Sequence, residues 1–343
     1  MSYNPKLEFF RFTLNHKDKS KTFRDFAVEC LGVDKSASDT EVFQSIFKYF
    51  MSTPETGFAD NDQLRKVLTW IDDKEVNIHY DKKPTLSSYN NVFAGVITGG
   101  KYGEDGILSD LDNKAQSQVL GRKKPVLKYF YIFVYLPVSH NEGFFMVHSN
   151  SHEETITNLL RDYMATIFTK NDYKRPIISK FCPQKFQEEF KNGALLTSFN
   201  FKTTFIDTIP SNDPIIQKID GYDVNITITP TKNAQVPLSV VGKLMSIIGK
   251  HQFKGDKQAK ELENFDTVKM KTRNDNVNSA KTFSWDSKDK EFSPVVYLQG
   301  REGIKFYSDN TPDFDSLKTF AISLFKNEIL PEIRKDLYVE RLD

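Results

Sequence analysis

Cysteine is nearly absent from this chain of 343 residues, which contains only Cys30 and Cys182. Two cysteines do not build the disulfide framework of a secreted domain, and both lie among apolar residues, where free buried thiols are common. No apolar stretch reaches the roughly 20 residues that a membrane-spanning helix needs. The first residues lack the basic-then-apolar pattern of a secretion signal. We therefore expect a cytoplasmic protein with no membrane partner.

An excess of charge of one sign is also missing. The chain carries 47 Lys and Arg against 46 Asp and Glu, a net charge of +1, so attraction to a polyanion must come from local patches. Hydrophobic residues make up 38% of the chain and include 29 Phe and 14 Tyr. This supply of core-forming side chains argues against disorder over most of the chain.

Catalytic motifs of high specificity are absent as well. The glycine-rich turn Gly99–Gly103 lacks the Gly-Lys-Ser/Thr ending of a phosphate-binding loop. No serine lies in a Gly-x-Ser-x-Gly elbow, so acyl-transfer chemistry has no support. Zinc-binding helices place two histidines on consecutive turns of one helix, whereas His148 is predicted on a strand and His152 in the first turn of the next helix. We favour structural or solvent-exposed roles for both histidines and predict no metal ligands there.

The richest apolar stretch runs from Val126 to Phe168 and predicts a strand-strand-helix unit. Residues 126–137 are aromatic and β-branched, which is typical of a strand buried on both faces. A turn at 141–143 and a second apolar run at 144–149 indicate an antiparallel hairpin. Ser151 and Glu154 have capping-box spacing, and an apolar stripe follows to Phe168. We expect this unit to nucleate the main core.

Weaker patterns complete the prediction of the fold. Strands are predicted at 7–14, 75–80, 91–98, 176–179, 194–205 and 223–229, and helices at 22–31, 38–52, 62–70 and 183–191. Residues 108–121 predict an exposed connection. Beyond the polar stretch 230–235 we predict a helix from Pro237, short strands at 267–273, 280–285, 295–298 and 304–307, and a final helix from Thr311.

The predicted class is α+β, with a mixed, largely antiparallel sheet and packed helices. The length exceeds that of a usual single domain. We predict a main α+β domain over residues 1–235, built on the 126–168 unit, and a smaller C-terminal α+β unit over residues 236–343.

Cations are concentrated near the start of the predicted C-terminal unit. In the run Val268–Arg273, three cations alternate with three other residues, so on a strand they would share one face. Such a face suits a phosphate backbone, because each neutralised phosphate releases counterions. The simpler alternative is an exposed face whose lysines discourage edge aggregation. The predicted nucleic-acid-binding residues are Lys254, Lys257, Lys260, Lys269, Lys271 and Arg273, and the basic runs 122–124 and 170–175 would extend them if the fold brings them close.

A metal-dependent nuclease is a second hypothesis. Such enzymes need two carboxylates and a lysine, often as acid-x-Lys after a strand. Asp81 and Lys83, with Asp72 or Asp73, fit loosely, and so do Asp286 and Lys288. In a chain with 27% charged residues such triplets arise by chance, so solvated turns are the simpler interpretation. No cofactor is predicted, except a divalent metal if this hypothesis holds.

The order of the sequence motifs between residues 91 and 210 resembles that of a group of known proteins. Gly-Val-Ile-Thr-Gly-Gly, a polar spacer, Tyr-Phe-Tyr-Ile-Phe-Val-Tyr-Leu-Pro, Gly-Phe-Phe-Met-Val and an amphipathic helix follow one another. This order resembles uncharacterised bacterial accessory proteins, some carried in anti-phage defence loci. The shared motifs are structural and transfer no catalytic residue. The resemblance implies a setting, which is defence against foreign nucleic acid.

Three functional hypotheses follow from the sequence. The leading one is a non-catalytic binding or sensing component of an anti-phage defence system, which engages nucleic acid or a phage-derived partner through the basic C-terminal surface. The nuclease is the second. The third is a scaffold or oligomerising protein that takes no small ligand and acts within a complex or as a homo-oligomer.

Overall fold

The structure is a computed structural model in which two compact units make up the fold, residues 1–181 with 297–327 and residues 182–296 with 328–343. It describes the chain except for residues 1–4, 71–73, 76–77, 88–90, 111, 114–116, 152–153, 192–193, 206–221, 232–235, 255–258, 275–278, 286–295 and 337–343. Within the described ranges, no helix is both long enough and apolar enough to cross a membrane.

The secondary structure is mixed, which confirms the predicted α+β class. In chain order the first elements are β1 (Lys6–Asn15), α1 (Phe23–Leu31), α2 (Asp39–Thr56), β2 (Ala59–Asn61), β3 (Lys66–Thr69), β4 (Thr85–Leu86), β5 (Val92–Lys101), β6 (Gly106–Ser109), β7 (Ser117–Leu120), β8 (Val126–Tyr135), β9 (Glu142–Ser149), α3 (Thr157–Ile167) and β10 (Lys174–Phe181). They are followed by α4 (Gln184–Lys191), β11 (Ala194–Phe205), β12 (Tyr222–Ile228), α5 (Leu238–Ile248), β13 (Gln252–Lys254), β14 (Ala259–Glu261), β15 (Thr267–Asn274), β16 (Ser279–Trp285), β17 (Val296–Tyr297), α6 (Phe314–Leu324) and α7 (Leu330–Ile333).

The first unit is built on a nine-stranded sheet in the order β10-β1-β9-β8-β5-β3-β2, with β17 paired to β1 and β4 to β5. The pairs along this path are antiparallel. The predicted hairpin is confirmed as β8 and β9, with Ile132 opposite Val147. It lies in the middle of the sheet, as its apolar composition requires.

Helices cover both faces of this central hairpin. On one face Ile132 and Val147 are buried in a core that α1, α2 and α3 complete. On the other face, the ring of Phe133 lies 4.9 Å from that of Phe325, in the π-helical turn Phe325–Ile329 that follows α6. Because successive residues of a strand point to opposite faces, double coverage explains why the run has no polar alternation.

Side-chain caps begin α1 and α2. Thr22 and Asp25 form a capping box at α1, and Ser38 and Glu41 form one at α2. The predicted start of the third helix at Ser151 is wrong, because α3 begins at Thr157. The Ser151 hydroxyl instead accepts a hydrogen bond from the Glu154 amide at 3.1 Å, so the capping-box spacing holds a turn that precedes the helix.

The second unit contains a four-stranded sheet in the order β12-β11-β15-β16. One face carries the apolar core, in which Phe199 and Met270 are fully buried with Val241 and Met245 of α5. The short hairpin of β13 and β14 lies on this covered side, since the ring of Phe253 is 5.3 Å from that of Phe205.

Four local predictions are wrong. Residues 304–307, predicted as a strand, form no strand and contain an isolated bridge between Phe306 and Pro312. Residues 62–70, predicted as a helix, include β3, which pairs with β2 and β5. The described part of 75–80, predicted as a strand, consists of turns that lead into a 3-10 helix at Tyr80–Lys82. Residues 108–121, predicted as a plain connection, contain parts of the β6–β7 hairpin. Each segment is short, so strand pairing rather than local periodicity decides its structure.

The boundary between the units also differs from the predicted one. Residues 235 and 236 lie inside the second unit, between β12 and α5. The reason is that β11 pairs with β12 on one side and with β15 on the other. Chain on both sides of residue 235 therefore belongs to one sheet, and the compact units divide at Phe181 and Cys182.

Candidate functional site

The predicted alternation of cations on β15 is present in the structure. Lys269, Lys271 and Arg273 are exposed, whereas the residues between them are at most 3% exposed and belong to the core side. Strand geometry sends alternate side chains to opposite faces. The three cations therefore share the face of the sheet that points away from α5.

Neighbouring strands extend this face with polar side chains. Asn200 of β11 stands opposite Lys269, and Thr227 of β12 stands opposite Asn200 and donates a hydrogen bond to its amide oxygen at 2.9 Å. We call this surface the basic sheet face and define it by Thr197, Asn200, Lys202, Thr204, Asp223, Asn225, Thr227, Lys269, Lys271 and Arg273. These ten residues include four cations, one carboxylate and no aromatic ring.

The carboxylate on the basic sheet face is Asp223. It accepts a hydrogen bond from the Thr204 hydroxyl at 2.7 Å and lies 3.3 Å from the Lys202 ammonium group. These contacts, the Thr204 hydrogen bond first, lower the pKa of Asp223. Asp223 therefore stays ionised near neutral pH and offsets the charge of Lys202.

The other predicted nucleic-acid-binding residues do not join this face. Lys254 is exposed on the β13–β14 hairpin, on the covered side of the sheet. Lys260 donates hydrogen bonds of 2.8 Å to both Asp266 and Thr203. The Lys260 ammonium and the Thr203 hydroxyl lower the pKa of Asp266 to about 2, so Lys260 has a structural partner. Lys257 lies outside the described residues.

The described nuclease candidates form an ion-pair cluster. Asp81 is exposed in the 3-10 turn, with its carboxylate 3.9 Å from the ammonium of Lys82, which also pairs with Asp315. Lys83 lies over the ring of Tyr80, 4.9 Å from its centroid. Lys82 therefore lies between the carboxylates of Asp81 and Asp315. Asp72, Asp73, Asp286 and Lys288 lie outside the described residues.

His148 is fully buried on β9, where its ring packs edge-on at 6.0 Å from Phe314 of α6. Within the described chain neither ring nitrogen has a hydrogen-bond partner. Burial lowers the pKa of His148 to about 3, so the imidazole is neutral at pH 7. His152 lies outside the description, and the described ranges contain no group of three or more His, Cys, Asp or Glu suited to a metal ion.

A cavity in the first unit was not predicted from the sequence. It encloses about 340 Å³ at the end of the large sheet, and its lining includes Lys66, Lys101, Lys124 and Lys128. The sequence signals were the Gly99–Lys101 turn and the basic run 122–124, but nothing local links them. The lining comes from β3, β5, β8 and the chain before α3, so only the strand order brings these lysines together.

Comparison of the sequence with protein-family models finds no match, and comparison with curated proteins finds no similar chain. The fold is that of an α+β protein of two units, each with an antiparallel sheet. Among the described residues, cations are concentrated on the basic sheet face of the second unit and in the lysine-lined cavity of the first unit. Assignment of function rests on the chemistry of these two places.

Proposed function

We propose that the protein is a non-catalytic binding component that engages nucleic acid through the basic sheet face. The observation that supports the proposal is the exposure of Lys269, Lys271 and Arg273 on one side of β15, while the residues between them are buried. The strand thus presents three cations in a row on the face of the sheet opposite to the one that α5 covers. The anti-phage setting and a phage-derived protein partner stay predictions that rest on the sequence resemblance.

The geometry favours contacts with the phosphate backbone over contacts with the bases. Every second residue of a strand repeats at roughly 6.6 to 6.8 Å, which is about twice the rise of about 3.4 Å per phosphate that each strand makes along the axis of a duplex. Proteins that hold single strands by base stacking use aromatic side chains, and the ten residues of the basic sheet face include none. We therefore expect binding that depends little on base sequence and strongly on salt.

The test uses fluorescently labelled duplex and single-stranded oligonucleotides of mixed sequence, with binding followed by anisotropy at low and at physiological salt. The variant combines Lys269→Glu, Lys271→Glu and Arg273→Glu. The matched control combines Lys243→Glu, Lys250→Glu and Lys254→Glu, which are exposed lysines of the same unit on its covered side. Both triple variants change the net charge by the same amount.

We expect the intact chain to bind with an affinity that falls steeply with salt. In the sheet-face variant, the slope of log affinity against log salt should be smaller by about 3, roughly one for each lost phosphate contact. The control variant should keep most of the slope. Equal losses in the two variants would show that only the net charge matters, and no measurable binding at low salt would end the proposal.

A further inference from the structure

The floor of the cavity in the first unit places like charges side by side. Lys66 of β3 stands directly opposite Lys101 of β5. Lys128 of β8 stands opposite Gly99, two residues from Lys101 on the same face. Like charges opposite one another on adjacent strands destabilise a sheet. A bound anion near these three lysines would therefore reduce their mutual repulsion and stabilise the sheet.

Two glycines let the wall of the cavity approach this floor. A Cβ atom at Gly99 would lie 2.6 Å from a methyl carbon of Ile156, and one at Gly100 would lie 1.8 Å from the Val126 carbonyl oxygen. Side chains at these positions would push away the segment before α3 and the start of β8. The close approach at Gly99 therefore fixes residues 154–156 against the sheet, where they form one wall of the cavity.

Neighbouring groups compensate only part of the cationic charge. Lys66 donates a hydrogen bond to the carbonyl oxygen of Thr155, and the Lys128 ammonium lies 3.9 Å from the carboxylate of Glu154. Among the described residues, the lining holds four lysines and two glutamates, Glu104 and Glu154. Burial, and then the nearby charge of Lys101, lower the pKa of Lys66. The recess therefore concentrates positive charge.

The remaining lining selects the kind of anion. Val126, Phe130 and Ile156 supply apolar surface next to the lysines, and about 340 Å³ is within the range of small-ligand sites. The part of the lining that the structure describes contains lysines and no arginine. Arginine is the residue that grips planar carboxylates with two parallel hydrogen bonds, whereas lysine acts as a point charge and is a common phosphate ligand.

We propose that this cavity binds a phosphate monoester, with the phosphate among Lys66, Lys101 and Lys128 and the organic group against Val126 and Ile156. The same chemistry is found in a small metabolite and in the 5′-terminal phosphate of a nucleic acid. The site is independent of the basic sheet face, so the two proposals stand or fall separately.

The primary test is isothermal titration calorimetry of the full chain with phenyl phosphate, inorganic phosphate and phenol. We expect phenyl phosphate to bind more tightly than inorganic phosphate and phenol not to bind, because the site needs both the charge and the apolar group. The double variant Lys101→Gln with Lys128→Gln should weaken the binding of phenyl phosphate by at least about tenfold, the usual value of one charged hydrogen bond.

Lys123→Gln is the matched control, since Lys123 is an exposed lysine of the same segment that does not line the cavity. It should leave the binding of phenyl phosphate unchanged. Circular dichroism and the unfolding midpoint of each variant show whether it is folded. No heat with phenyl phosphate, or equal binding in the double variant and the control, would overturn the proposal. Equal binding of inorganic and phenyl phosphate would overturn the assignment to a monoester.

A second comparison distinguishes the two sources and the two proposals. In the sheet-face triple variant, oligonucleotides with a 5′-phosphate are compared with the same oligonucleotides with a 5′-hydroxyl. Tighter binding of the phosphorylated form that requires Lys101 would identify a nucleic-acid end, whereas binding of phenyl phosphate alone would identify a small molecule. Duplex binding should survive in the Lys101 and Lys128 double variant, because it uses the other surface.

Discussion

The two sheets of the molecule differ in how many of their faces are covered. In the large sheet, neighbouring residues Ile132 and Phe133 of β8 point to opposite faces and are both buried. In the four-stranded sheet, Met270 of β15 is buried and its neighbour Lys271 is exposed. One sheet is therefore the interior of its unit, and the other presents half of its surface to solvent.

This difference decides where each unit can bind a partner. A sheet covered on both faces has only its edges and strand ends free, and the lysine-lined cavity lies at such an end. A sheet with an open face can offer a broad surface, which suits a long polyanion better than a small ligand. We therefore expect the cavity to bind a small ligand and the basic sheet face to bind a long polyanion, because the two sheets differ in how many faces are covered.

The largest predicted effect tests this difference in coverage directly. Ile132→Ala and Phe133→Ala should each lower the free energy of unfolding by about 2 to 5 kcal/mol, because both leave cavities in packed cores. Met270→Ala should cost a similar amount, but Lys271→Ala should change the stability by no more than about 0.5 kcal/mol. Urea unfolding measures all four variants. A Phe133→Ala variant as stable as Lys271→Ala would show that α6 and the turn after it do not cover the large sheet.

A smaller effect concerns the pH dependence of stability at His148, whose pKa burial lowers to about 3. An unfolded histidine has a pKa of about 6.5. Between these values the unfolded chain binds a proton that the folded chain does not, so protonation favours unfolding. Stability should fall as the pH drops below about 6.5, with a contribution of up to about 1.4 kcal/mol per pH unit from this residue.

The matched variants for this prediction are His148→Phe and Met146→Leu. The first removes the titrating group and its two nitrogens without hydrogen-bond partners in the described chain. The second changes an apolar neighbour on the same face of β9. Urea unfolding between pH 7 and pH 5 should show a shallower loss of stability for His148→Phe, and the original loss for Met146→Leu. Equal slopes would mean that His148 takes up a proton without unfolding.

Local sequence patterns were sufficient to predict burial and helix starts where one physical constraint dominates. From Phe130 to Tyr135, β8 has no polar alternation and is buried on both faces as predicted, whereas Val126 and Leu127 at its start are exposed. In β15 cations alternate with buried residues, and this pattern predicts the observed burial. The capping boxes of α1 and α2 likewise fix their starts. In each case the sequence within a few residues determines the structure.

Local sequence patterns failed to predict the structure where contacts with distant segments of the chain determine it. Val67 and Leu68 form a strand because β5 lies beside them, and Phe325 covers Phe133 from almost 200 positions away in the chain. The cavity could not be predicted, because Lys66, Lys101 and Lys128 come from three strands whose order the sequence does not state. The need for glycine at position 99 was also not predictable, because it comes from the close approach of Ile156 at the start of α3.

The smallest predicted effect concerns the repulsion between the lysines at the cavity of the large sheet, measured in the absence of a ligand. Lys101→Gln removes one member of the cross-strand pair with Lys66, so the free energy of unfolding in phosphate-free buffer at low salt should rise by less than about 1 kcal/mol. High salt should abolish the gain, because it screens exposed charges. Lys123→Gln should show no such gain. If Lys101→Gln is instead neutral or destabilising at low salt, the lysines do not repel one another, and the cavity has no need of an anion.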